Sequence, residues 1–157
     1  ATLFNPEVDP FGTGWNITQS KIAIGSGGIF GKGYGSGSQA HLDFLPETKT
    51  DFIFAVIAEE FGFMGALILF SIYTFILLRC FYLSFNARDR FCRLTIGGLS
   101  LIFITTIFVN LGMVVGILPV VGMPLPFISM GGTSLLSFYI AFGIIISMAS
   151  HKKLIRQ

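Results

Sequence analysis

The sequence predicts an all-α integral membrane protein: three transmembrane helices preceded by a large extracytoplasmic loop. Three observations carry this. The 157 residues are 53% hydrophobic and only 11% charged, with 18 Phe and 19 Gly, which is too apolar for an ordinary soluble domain. Three apolar runs, residues 52–78, 94–117 and 134–150, have the length that crossing a bilayer requires, about 20 residues. The charges alternate in position: Arg79, Arg88, Arg90 and Arg93 face a single Asp89 in the first link, the second link (118–133) has no charge, and the tail carries Lys152, Lys153 and Arg156.

The positive-inside rule places the arginine link and the tail in the cytoplasm. Residues 1–50 and 118–133 then lie outside. The expected organisation is an extracytoplasmic loop (1–50), a span (51–78), a cytoplasmic loop (79–93), a span (94–117), an outer re-entrant loop (118–133), a span (134–150) and a cytoplasmic tail (151–157). The chain has no initiator Met and no signal peptide, since residues 1–11 lack a basic and an apolar region; it reads as part of a longer protein. Cys80 and Cys92 flank the cytoplasmic link, so both are expected as reduced thiols.

Each outer segment has its own signature. Residues 1–50 combine Asn5-Pro6, Asp9-Pro10 and a glycine run from Gly25 to Gly35 with Trp15, Ile17, Ile22, Ile24, Ile29 and Phe30. The Gly and Pro density breaks regular elements, yet the apolar side chains call for a structured loop, with a short amphipathic helix near residues 17–24 along the membrane interface. Residues 118–133 are apolar but hold three Pro and three Gly. Irregular backbone at membrane depth survives where it is buried in protein or lines a watery cavity, so this reads as a re-entrant or broken-helix element.

Asp51 stands where the polar outer segment becomes the first span. A carboxylate there lies in low dielectric yet within reach of water, and burial would disfavour its charged form, which suits proton transfer. The plainer alternative is that Thr50 or Asp51 is the N-cap of the helix that follows. Glu59 and Glu60 lie inside the first span, where ionisable groups are functional by default; pairing with a neighbouring basic group is an equal alternative. Asn110 is expected to hydrogen-bond to another helix. Lys21, Lys32 and Lys49 are the basic residues available to a phosphate on the outer side, or else solvated surface charges.

Several chemistries drop out. The glycine run has Ser26 where a phosphate loop needs its first Gly, and Gly33 follows Lys32 instead of Ser or Thr. His41 and His151 are isolated, and no metal-ligand cluster is legible. Ser129 and Ser134 lack nearby His and Asp partners for a hydrolase triad. No nucleic-acid partner is expected.

Several motifs together resemble the SEDS family of RodA, FtsW and SpoVE proteins, which act in bacterial rod shape, division and sporulation. These are residues 19–28 with Gly31-Lys32-Gly33, Phe44-Leu45-Pro46-Glu47, Thr50-Asp51-Phe52-Ile53-Phe54-Ala55, Glu59-Glu60-Phe61-Gly62, and Pro124-Leu125-Pro126-Phe127-Ile128-Ser129 with Gly131-Gly132-Thr133-Ser134. Residues 5–17 and 110–122 favour the rod-shape branch. Met130 departs from the pattern, where Tyr is frequent.

The resemblance implies the C-terminal part of a ten-helix SEDS fold, with about seven N-terminal helices missing, in the bacterial inner (cytoplasmic) membrane. It implies a peptidoglycan glycosyltransferase that polymerises lipid II during cell elongation, inactive as this part alone, with Asp51 as the catalytic general base. Lys21, Lys32, Gln39, Lys49, Glu59, Glu60, Ser129, Gly131 and Gly132 are the implied substrate-binding residues. It also implies membrane lipids, a class B penicillin-binding protein and elongation-complex proteins as partners. Departure of a pyrophosphate needs positive charge, from side chains or a divalent cation such as Mg or Mn. Two other readings remain open at this point: a lipid II flippase or transporter, suggested by the broken element and intramembrane glutamates, and a truncated, non-enzymatic remnant.

Overall fold

The computed structural model describes residues 13–34, 51–87 and 89–150. Four helices follow one another: α1 (Thr13–Gly27), α2 (Ile53–Phe85), α3 (Arg90–Val114) and α4 (Gly132–Ser150). The last three are each long and apolar enough to cross a membrane. The chain is therefore a multi-pass membrane protein.

The helices run further than the apolar runs suggested. α2 continues to Phe85 and α3 starts at Arg90, so most of the expected 79–93 loop is helical. Arg79 and Arg93 lie on helices and place their guanidinium groups 5.5 Å from the ring centroids of Tyr82 and Phe85. A long basic side chain can ride on a helix end, with its stem on apolar surface and its head towards water, so charge marks the link without ending the helix. Ser84 Oγ donates to the Arg93 carbonyl (2.9 Å) and ties the two helices across the short connection.

α3 stops at Val114 instead of residue 117. Gly116 takes φ +78°, its N–H donates to the Met113 carbonyl (3.0 Å), and the Ile117 N–H donates to that of Gly112 (2.8 Å). This is a Schellman ending, with glycine in the left-handed position. The chain then runs irregularly to α4, as a loop that packs inward: Leu125, Pro126 and Ser129 are buried.

An aromatic cluster joins this loop to the three long helices. Phe103 of α3 is 2% exposed and contacts Tyr73 of α2, Phe127 of the loop, and Phe138 and Phe142 of α4, with ring centroids 5.3–5.9 Å apart. Tyr73 donates from its hydroxyl to the Pro126 carbonyl (2.7 Å). Proline segments leave carbonyls without ladder partners, and a buried one needs a donor; Tyr73 supplies it.

α1 is longer than the helix expected over 17–24. Gln19, Ser20, Ala23 and Gly27 face the protein, whereas Ile22 is exposed. Small residues let two backbones approach closely. A Cβ on Gly27 would collide with the carbonyl oxygen of Ala58 in α2.

α2 is two helical arms broken at Gly62, which adopts φ +65°, ψ −159°. In an unbroken helix the Phe63 and Met64 amides would donate four residues back, to Glu59 and Glu60. Here the glycine loop takes both sides of that pairing. Lys32 and Gly33 donate their N–H groups to the Glu59 and Glu60 carbonyls (3.0 Å each), and the Phe63 and Met64 N–H groups donate to the Gly28 and Ile29 carbonyls (2.9 and 3.2 Å). The break at Gly62 thus frees two donors and two acceptors, and residues 28–33 satisfy all four. A side chain at Gly62 would strike the Gly31 amide, and one at Gly31 the Glu60 carbonyl. The glycine run is therefore an interior splice, in keeping with the close backbone approach its composition allows.

Candidate active site at the mouth of the broken helix

Asp51 stands one residue before the N-cap of α2. The cap position is Phe52, whose side chain makes no capping bond. Asp51 is therefore not the N-cap residue, which sets aside that alternative for it; Thr50 lies outside the described residues. Phe52 is wholly buried and Asp51 half-buried, so the ring fixes the chain while the carboxylate stays near the surface.

Two elements hold Asp51 from the far side. Asn110, wholly buried near the end of α3, donates from Nδ2 to the backbone carbonyls of Asp51 (3.0 Å) and Met123 (2.6 Å). Both partners are pure acceptors, so the amide nitrogen must face them. Asn110 Oδ1 is then buried with no hydrogen-bond partner among the described residues. Leaving a buried acceptor unsatisfied costs about 1–3 kcal/mol, a cost the two donated bonds help to offset. The second element is Gly122, with φ +70°; a Cβ there would sit 3.3 Å from Asp51 Oδ2. The 115–131 loop thus offers bare backbone to the carboxylate.

The arrangement couples the start of α2, the end of α3 and the 115–131 loop around one carboxylate. A carboxylate so placed can accept a proton from a hydroxyl brought within hydrogen-bond reach.

The family model for the cell cycle proteins FtsW, RodA and SpoVE matches residues 1–154. The chain belongs to this family. It is 52% identical over 155 residues to the peptidoglycan glycosyltransferase MrdB of Escherichia coli K12, covering 99% of this chain and 42% of that protein. It is 45% identical to the peptidoglycan glycosyltransferase RodA of Treponema pallidum, over 93% of this chain and 34% of that one. Among solved structures, a chain from work on the coordination of polymerization and crosslinking by a peptidoglycan synthase complex superposes with TM-score 0.79 at 27% identity, covering 98% of this chain and 41% of that one. The Thermus thermophilus rod shape determining protein RodA superposes with TM-score 0.63 at 33% identity, covering 88% and 40%. The chain spans between about a third and two fifths of the length of these relatives.

Within this FtsW/RodA/SpoVE segment, the residues singled out from sequence fall into separate groups. Glu59 is wholly buried and its Oε1 lies 2.8 Å from Lys32 Nζ, so Lys32 is held at the splice. Glu60 is partly buried beside it, on the other side of the carbonyl exchange. Lys21 is exposed and lies over the end of α3: a Cβ at Gly116 would sit 2.8 Å from its Nζ. A cation at a helix C-terminus is stabilised by the macrodipole, so Lys21 has a structural role beside any contact with phosphate.

Ser129 is buried, and its N–H donates to the Leu125 carbonyl (3.1 Å). The Gly131 carbonyl accepts from Ser134 Oγ (2.8 Å) and the Leu135 N–H (2.9 Å). Gly132 opens α4 and is exposed. Gln39 and Lys49 lie outside the described residues, as do His41 and His151.

Asn110 is the residue whose role the sequence did not reveal. A polar group in a span was expected to bond to another helix; it bonds to the Asp51 carbonyl, just before α2, and also to the Met123 carbonyl of the loop that folds back over the end of its own helix. The only hint in the sequence is its position six residues before Gly116, the glycine that ends α3.

Proposed function

We propose that this chain is the acceptor-activating part of a peptidoglycan glycosyltransferase that polymerises lipid II, with Asp51 as its general base. Asp51 takes the proton of the acceptor sugar's 4-hydroxyl; the oxygen attacks the donor's anomeric carbon, and the lipid pyrophosphate leaves. The observation that carries this reading is the half-buried Asp51 carboxylate set against the bare backbone of Gly122 and braced through Asn110. The glycosyltransferase names of relatives such as MrdB and RodA support it.

The leaving pyrophosphate needs cationic help. Lys21 is the exposed outer cation among the described residues nearest that role, since Lys32 is paired with Glu59. No group of three His, Cys, Asp or Glu side chains that could hold a metal ion occurs among the described residues. A divalent cation such as Mg or Mn would supply positive charge to the departing pyrophosphate. By the charge rule, the carboxylate side faces outward and the C-terminus the cytoplasm. A class B penicillin-binding protein and other elongation proteins are the partners that fit; the structural relative from a peptidoglycan synthase complex agrees with a partner of that kind.

Transport is the weaker reading. Broken helices serve transporters when their exposed termini coordinate ions or substrate, but here residues 28–33 take the freed groups.

The test is Asp51→Asn in the full-length protein with purified lipid II. Loss of a general base is expected to slow polymerisation by about 10²–10⁴-fold while the protein remains folded. Polymerisation at the unmodified rate would remove Asp51 from the chemistry.

A further inference from the structure

We propose that Asn110 is a positioning residue for the Asp51 base, an inference that rests on the reading just given. Asn110 touches no exposed surface, so it cannot meet substrate directly. It acts through the backbone: one amide nitrogen bridges the Asp51 carbonyl and the Met123 carbonyl. These carbonyls belong to the two segments that define the mouth, and Gly122, which faces Asp51 Oδ2, is the neighbour of Met123.

Two carbonyl oxygens drawn to the same donor would otherwise repel each other. A hydrocarbon side chain at 110 cannot hold them together, and a carboxylate would add a third acceptor. The amide therefore sets the separation between the carboxylate and the loop that confronts it. It does so while its own Oδ1 stays unpaired among the described residues. Both of its hydrogen bonds are donated from Nδ2, and both go to these two carbonyls. Misplacing a catalytic group by about 1 Å can cost on the order of 100-fold in rate.

The experiment compares Asn110→Leu, Asn110→Ala and Asn110→Gln with Asp51→Asn in the full-length protein, measuring kcat and KM for lipid II polymerisation and thermal unfolding in detergent. Activity is scored per folded molecule, and Asn110→Ala serves if the leucine variant does not fold. Positioning predicts a kcat lowered by about 10–100-fold in Asn110→Leu or Asn110→Ala, with KM within about twofold. Asn110→Gln, which keeps both donors on a longer arm, should recover part of the loss.

If kcat per folded molecule stays unchanged in Asn110→Leu or Asn110→Ala while Asp51→Asn is inactive, positioning is wrong and the base assignment stands. A loss confined to unfolding temperature, with kcat and KM intact, overturns it equally. Full activity in Asp51→Asn would instead sink the base assignment on which the inference rests.

Discussion

Glu59 and Lys32, 27 residues apart in sequence, form an ion pair of 2.8 Å in which the glutamate is wholly buried and the lysine side chain one-third exposed. Removing one member of such a pair leaves an uncompensated charge, and breaking a buried pair this way costs about 3–5 kcal/mol. Partial exposure of Lys32 places Lys32→Met near the lower end, about 3 kcal/mol. Lys32→Met combined with Glu59→Gln should regain most of that loss. Thermal unfolding in detergent of the two single variants and the double variant checks it; additive losses would contradict a direct pairing.

Gly62 cannot carry a side chain without striking the Gly31 amide, and its φ of +65° is strained for any other residue. Gly62→Ala should destabilise the protein by more than the roughly 1 kcal/mol that separates Gly from Ala in ordinary helix. Gly98, in α3 with open space around it, is the control, and Gly98→Ala should be neutral or stabilising. Similar unfolding temperatures for the two variants would show that the splice tolerates a side chain.

Gly122 should respond in activity more than in stability. Its loop is exposed at that point, but a methyl group would press on Asp51 Oδ2 and disfavour the local φ of +70°. In the full-length protein, Gly122→Ala is expected to lower the proposed polymerisation rate about tenfold by displacing Asp51, the proposed base. Unfolding temperature should fall only modestly, since a side chain at this φ costs about 1 kcal/mol. Rates equal to those of the unmodified protein would detach Gly122 from the site.

Tyr73→Phe removes the hydroxyl that serves the Pro126 carbonyl in a buried setting. The expected loss is about 1–3 kcal/mol, since the carbonyl is left without its donor. The ring contact with Phe103 remains, so the change isolates the hydrogen bond. A stability unchanged in calorimetry would mean that Pro126 finds another donor.

What the sequence made legible was governed by composition and charge. The three long helices followed from apolar run length, because the bilayer demands it. Glu59 pairing with a basic group was one of two stated alternatives, since a buried carboxylate needs a partner. The splice was not legible: nothing local to Gly62 says that its freed carbonyls will be met by Lys32 and Gly33, because backbone pairing across such a separation depends on shape and not on residue type. For Asn110 the bond towards another helix was expected, but its second acceptor, the Met123 carbonyl, was not legible, because no side-chain pattern announces a main-chain oxygen. Helix ends failed where arginines were taken as loop residues, although Arg79 and Arg93 sit comfortably on helical turns.

The exchange of partners around Gly62 makes four amides a single dynamic unit. Those of Lys32, Gly33, Phe63 and Met64 are protected only while loop and helix are docked, so one opening event should expose all four to deuterium at a common rate. The upper arm of α2, which begins beside Asp51, then loses its anchorage in the same event. Catalytic alignment and isotope uptake thereby become two readings of one local unfolding equilibrium.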